Sequence, residues 1–187
     1  MVYVLLVLVL ASSCIPSAGP ERPEVSHRQQ KLVRADFGEV WRAAHDAIAN
    51  TSLRVTEDDE AEGTMHLWTR RTARSRSDAL EREIVRIADL EKARRLGLGR
   101  LSEYMLDYTV AVARLGEQET RLEVSTRITA VDRSEVMMIG PGIAQVIPRT
   151  FDVPSKGVLE RDLVSQIAEY LFLSEEMLYT IGALGRE

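Results

Sequence analysis

Two stretches of strict alternation decide what this chain can fold into. Tyr104, Leu106, Tyr108, Val110 and Val112 recur at every second position. After Leu115-Gly116-Glu117-Gln118, Leu122, Val124, Thr126, Ile128 and Ala130 do the same, against Arg121, Glu123, Ser125, Arg127 and Thr129. Successive side chains on a strand point to opposite faces, so each stretch has one face to bury and one to leave wet. Joined by a short glycine turn, they read as an antiparallel hairpin. The apolar face of such a sheet needs a cover, and the rest of the chain supplies helices for it.

The first helix opens at Asp36, with Glu39 three residues on to complete a capping box. Phe37, Val40, Trp41, Ala44 and Ile48 then fall on one helical stripe, and Asn50 is a natural stop. A short first strand is expected over 31–35. Leu53 and Val55 alternate as on a strand. The acidic run Glu57-Asp58-Asp59-Glu60 reads as a turn leading to Gly63. A strand over 64–70 puts Met65 and Leu67 on one face, and His66, Trp68 and Arg70 on the other. Residues 71–100 form an insert with a helix capped by Asp78 and ended by Leu96-Gly97-Leu98-Gly99. From Arg70 to Arg100 there are ten Lys or Arg against five Asp or Glu, a basic segment in a chain of net charge −5. Residues 134–154 read as a long connection broken at Gly140-Pro141-Gly142. Ser155 is placed to cap a last helix striped by Leu159, Leu163, Val164, Ile167, Ala168 and Leu171, and a short terminal helix follows over 174–184.

The expected order is β-α-β-β-(α)-β-β-α. The economical solution is an α+β fold: an antiparallel sheet of four to five strands with two main helices packed on one face, a helix-grip-like arrangement.

Ahead of this domain stands an apolar leader ending in Leu10-Ala11-Ser12-Ser13-Cys14, and Cys14 is the only cysteine. An apolar run of about ten residues is too short to span a bilayer, which takes roughly 20, but it suits a signal peptide. The leader resembles that of bacterial lipoproteins. Ser13 and Ser12 fit the lipobox; Ala11 stands where Leu is usual, and no Lys or Arg precedes Cys14. The alternatives are plain secretion with cleavage near Ser13 or Ala18, and a buried N-terminal strand. The lipoprotein reading divides the chain into a signal peptide over 1–13, a lipid-anchored tether over 14–30 containing Pro16, Pro20 and Pro23, and one domain over 31–187. Ile15 after the cysteine, by resemblance to enterobacterial sorting, implies the outer membrane, with the domain facing the periplasm.

Phe37-x-x-Val40-Trp41-x-Ala43, Leu53-x-Val55, Asp58 or Asp59, and Gly63-Thr64-Met65-x-Leu67-Trp68 are together similar to the repeating unit of BamC-like envelope lipoproteins. The opening of the last helix, Ser155-Lys156-Gly157-Val158-Leu159-Glu160, resembles that family too. The resemblance covers about two thirds of the chain. It implies a helix-grip domain, an envelope location and a role accessory to outer-membrane biogenesis. The family's archetype has two such domains and a long N-terminal region. This chain has one domain, a short tether and an additional basic insert.

No Gly-x-Ser-x-Gly, Walker loop or HExxH occurs. His27, His45 and His66 show no ligand spacing, and the run Glu57–Glu60 lacks the spaced oxygens of a calcium loop. Neither enzyme activity, cofactor nor metal is expected, and an acidic chain is not a nucleic-acid binder by bulk charge. The expected function is a non-catalytic interaction or scaffold module with an envelope protein partner; the alternative is a carrier of a small hydrophobic ligand in a helix-grip pocket. Candidate partner or membrane contacts are Trp68, Arg70, Arg71 and Arg74, and Met137, Met138 and Ile139 in the long connection. For Trp68 the competing reading is burial beneath the insert helix. For the connection it is folding back over the core, and for the arginines an ordinary solvated face. Growth with a radioactive fatty acid should label the wild-type protein and not Cys14→Ser; an unlabelled wild type would exclude the lipid anchor.

Overall fold

A computed structural model describes residues 27–72 and 77–184. The chain runs β1 (Arg28–Val33), α1 (Phe37–Ala49), β2 (Arg54–Asp59), β3 (Thr64–Thr72), α2 (Ser77–Ile87), α3 (Leu90–Arg95), β4 (Leu101–Arg114), β5 (Thr120–Gly140), β6 (Ile143–Val153) and α4 (Val158–Leu184). The fold is α+β, with a six-stranded antiparallel sheet in the order β2-β3-β4-β5-β1, and β6 also pairing β5.

The expected hairpin is the centre of that sheet. Tyr104, Leu106, Tyr108, Val110 and Val112 of β4 are buried beside Leu122, Val124, Thr126, Ile128 and Ala130 of β5. α1 and α4 pack on each other and on this face. The capping box is present: Glu39 N–H donates to Asp36 Oδ1 at 2.9 Å, and Asp36 N–H to Glu39 Oε2 at 3.2 Å. With its orphan amides satisfied, α1 buries Val40, Trp41, Ala43, Ala44, Ala47 and Ile48. Phe37 stacks on Trp41 with centroids 5.8 Å apart. Asn50 Nδ2 donates to the Tyr170 hydroxyl at 2.7 Å, tying the end of α1 to α4.

Five expectations need correction. The helix expected over 174–184 is no separate element but the end of α4, which runs unbroken over Val158–Leu184. β1 begins at Arg28, so residues 28–30 belong to the sheet and not to the tether. Glu57, Asp58 and Asp59 continue β2, and the turn comes only after them. Glu57 and Asp58, exposed acids on an edge strand, discourage pairing with another chain. The insert holds two helices. Ala88 bridges Ser155, and Asp89 N–H donates to the Pro154 carbonyl at 2.9 Å, which ends α2; Asp89 then caps α3. Residues 134–154 are no loose connection: they contain the last third of β5 and the whole of β6. That extra strand takes the sheet beyond the expected four to five. At the start of α4, Ser155 Oγ accepts from Gly157 N–H and donates to the buried Glu160 carboxylate at 2.9 Å.

Gly63 is where the β2–β3 turn meets the neighbouring strand. Its φ is +65°, and an added Cβ would lie 2.2 Å from the Val112 carbonyl oxygen. Both the positive φ and the close approach demand glycine. Gly63→Ala should destabilise the domain by about 2–4 kcal/mol in urea unfolding.

Candidate functional site

β5 outruns its neighbours. β1 pairs it from Thr120 to Ser125, and β4 pairs it on the opposite edge as far as Asp132. From Glu135 onward only β6 accompanies it. The result is a two-stranded arm, residues 135–147, standing beyond the sheet. Its tip is Pro141-Gly142, with Gly142 at φ +75°, as the third residue of a type II turn requires. Directly opposed residues share a face. Val136, Val146, Met138 and Ala144 therefore line one side; Met137 and Ile147, with Glu135 and Gln145, line the other. Ile139 falls at a register shift near the tip. Val136, Met137, Met138, Ile139, Ile143 and Val146 are each 47% to 65% exposed. No residue from 136 to 148 carries a charge. An isolated hairpin is marginal in water, and an exposed uncharged strand edge is a template for association.

Asp132 fixes the arm to the sheet. It is 3% exposed. One carboxylate oxygen accepts from Gly99 N–H at 2.8 Å and Arg100 N–H at 3.1 Å; the other accepts from Ser134 N–H at 2.8 Å. Burial alone would raise its pKa, but the Ser134 hydroxyl, together with these backbone amides, holds it down at about 2. The carboxylate thus joins the loop entering β4 to the bulge that begins the arm. Beside it, Arg149 lies over the Phe151 ring at 5.2 Å and within 3.8 Å of Glu135.

Met137, Met138 and Ile139 sit together on this arm, exposed, so the connection does not fold back over the core. The other anticipated residues do not join them. Cys14 and Arg74 lie outside the described residues. Arg70 and Arg71, adjacent on β3, go to opposite faces of the sheet. Arg70 is on the open face, where Arg70 and Arg133 both bind the buried Glu103 carboxylate, Arg133 at 3.0 Å. Burial would raise Glu103's pKa; the two guanidinium groups overcome that and hold it below the ordinary carboxylate value. Trp68 shares this face, half-buried, between Arg54 and Asp107 on the neighbouring strands. The helices of the insert lie on the other face, with Leu80 and Ile84 buried in the main core, so they do not cover Trp68.

Arg71 points into the cleft between sheet and helices, 3.8 Å from Glu83 and 3.5 Å from Ser52. This cleft has a volume of about 270 Å³. Its floor is Tyr104, Leu106, Tyr108 and Leu163, and its rim carries Arg71, Glu83 and Asp162. Burial raises both phenols above their usual pKa; the Tyr104–Glu83 hydrogen bond adds to this at Tyr104, and the charge of Glu160 at Tyr108. His45 approaches Asp58 at 3.3 Å and His66 approaches Thr109 at 3.1 Å. Among the described residues, no group of three His, Cys, Asp or Glu is placed to hold a metal, and no helix is long and apolar enough to cross a membrane.

Sequence reasoning read Lys92, Arg95 and Arg100 only as part of the basic insert and did not place them at the base of the arm; it missed Arg133 on β5 and Arg149 on β6 there. A signal was there, since charges bracket an uncharged run of thirteen residues.

No family model matches the chain, and no curated protein matches it. Among solved structures, it is similar to a DUF4468 family protein from Bacteroides ovatus at 10% identity and a TM-score of 0.31, over 84% of this chain and 83% of that one. A likeness this remote bears on neither partner nor chemistry.

Asp132 also gives a pH signature. Its folded-state pKa lies below the ordinary 3.8, so its stabilisation is complete above about pH 4 and disappears as pH falls through about 2. Asp132→Asn should cost about 1–2 kcal/mol at neutral pH. Urea unfolding of the two proteins should show that gap narrowing below about pH 4.

Proposed function

We propose that this protein is a bacterial envelope lipoprotein, held through lipid at Cys14, whose domain is a non-catalytic interaction module accessory to outer-membrane biogenesis. The observation that carries the reading is the arm: a two-faced apolar hairpin, uncharged from Val136 to its tip and back, held out in solvent. Patches of this kind mark interaction sites. The lipobox-like leader and the resemblance to BamC-like lipoproteins supply the compartment. Trp68, on a face that no described helix covers, is the natural anchor for an envelope protein partner, since a half-buried Trp among charged neighbours is a common hot spot.

The alternative, a carrier of a small hydrophobic ligand, has less support. The cleft of about 270 Å³ is below the roughly 300–1,000 Å³ of ordinary ligand sites. Its charged rim also suits an apolar guest poorly.

Photo-crosslinking from intact membranes tests the proposal. Lipidated protein with a photoreactive group at Arg54, beside Trp68, should capture a discrete envelope protein. Trp68→Ala should weaken that capture about tenfold or more without changing the thermal melt. Capture of nothing beyond what Cys14→Ser gives would sink the interaction-module reading.

A further inference from the structure

The arm's occupant follows from three observations: its composition, the charges at its base, and where the tether leaves the domain. We infer that the apolar arm docks on an anionic lipid surface, giving the protein a second membrane contact besides its lipid. This rests on the lipoprotein reading above and deepens it.

The first observation is the tip. Met138, Ile139 and Ile143 are the most exposed apolar side chains of the arm, and they surround Gly140-Pro141-Gly142 with no charge nearby. Interfacial elements bury their apolar parts roughly 5–10 Å into a leaflet, which is about the depth of this tip at ~3.3 Å per residue. Deeper entry is disfavoured because the arm's outer backbone edges lack partners, and hydrocarbon does not tolerate open strand edges. The arm therefore reaches the headgroup layer and stops there.

The second observation is the collar of cations. Lys92, Arg95 and Arg100 form no ion pair among the described residues. α3 contacts β6, and Arg149 approaches Gly97, just past the end of α3. Arg149 stands beside them at the base of the arm, shared with Glu135, about 23 Å from the tip at ~3.3 Å per residue; Arg133 is committed to the buried Glu103 carboxylate and adds no free charge. A tilted arm brings these groups to the phosphates, where each basic side chain adds to the attraction. The chain as a whole is acidic, so the collar favours one orientation over the others.

The third observation is the tether. Arg28 pairs with Ser125 and Val33 with Thr120, so β1 begins at its end nearer the arm. From Ser125 to the tip is about 50 Å along β5. The chain between Cys14 and Arg28 reaches at most about 45–50 Å. With the tether drawn out almost straight, or with the arm tilted, an acyl group at Cys14 and the arm tip reach the same leaflet.

A second copy of the chain is the competing occupant. It would cover the two faces of the arm, but it would not account for either the collar or the direction of the tether.

The experiment places an environment-sensitive fluorophore at Met138→Cys in the acylated full-length protein, whose own cysteine is blocked by lipid. Phosphatidylethanolamine–phosphatidylglycerol vesicles, with or without nitroxide-labelled acyl chains, are the probe. The fluorophore should shift to the blue and be quenched by the nitroxides, while one at Glu117→Cys, on the turn at the far end of β4, does neither. With the label on Ile143→Cys instead, Met138→Asp with Ile139→Asp should abolish both signals. Replacing Lys92, Arg95 and Arg100 by Gln should weaken them about tenfold. Vesicle-bound protein whose tip stays in water overturns the proposal and leaves the lipoprotein reading standing. A blue shift that depends on protein concentration and not on lipid overturns it in favour of the second copy. If mass spectrometry finds no acyl group, the lipoprotein reading fails, and quenching on added vesicles, with Cys14 replaced by Ser so that only the arm carries the label, still decides the arm.

Discussion

β5 is a single strand asked to serve two structures, and the two meet at Asp132. Before that residue, β5 lies inside the sheet, with β1 or β6 on one edge and β4 on the other; beyond it, β4 is gone and the strand continues with β6 alone. A buried carboxylate is costly unless its lone pairs are filled. Here three backbone amides fill them. Those bonds hold the loop entering β4 against the point where the arm begins, and so set the direction in which the arm leaves. The position of Met138 and its neighbours relative to the basic turn of α3 depends on that clamp.

The sheet divides the charged side chains by parity. Arg70 and Arg71 are chemically identical and adjacent, yet one neutralises the buried Glu103 on the open face and the other rims the cleft below the helices. The open face is built from ion pairs such as Arg127 with Asp152 at 3.0 Å and the Glu103 group. The helix face is a continuous apolar core. Trp68 is the large aromatic exception on the charged side.

What was legible in the sequence was what local rules govern. Asp36 and Glu39 close a capping box within one turn, and Val40 to Ile48 follow from the helical period, so α1 stands where it was expected. β4 and the first half of β5 alternate cleanly and do likewise. The misreadings have non-local causes. α2 ends at Ile87 because Ala88 and Asp89 bond to residues around Pro154 and Ser155, far away in sequence. The arm was obscured because register shifts at Asp132/Glu135 and Met138/Gly140 break its alternation, and because Gly140-Pro141-Gly142 reads equally as a break or a hairpin turn. Of the candidate site, Met137, Met138 and Ile139 could be picked by composition. The charges around the base were visible in composition, but their meeting at the arm was not, since α3 and β6 come together only in three dimensions.

Pro148 stands opposite the bulge at the arm's base, where the ladder of β5 and β6 is interrupted. A proline donates no hydrogen bond, so the ladder has no continuous rung there. Local opening in proteins spreads through cooperative units and stops where the bonding between them is thin. The arm is therefore its own unit: its amides can exchange with solvent, and its strands can part and rejoin, while the ladder from Thr120 to Asp132 stays closed. A rearrangement of the arm would thus leave the core that carries it intact.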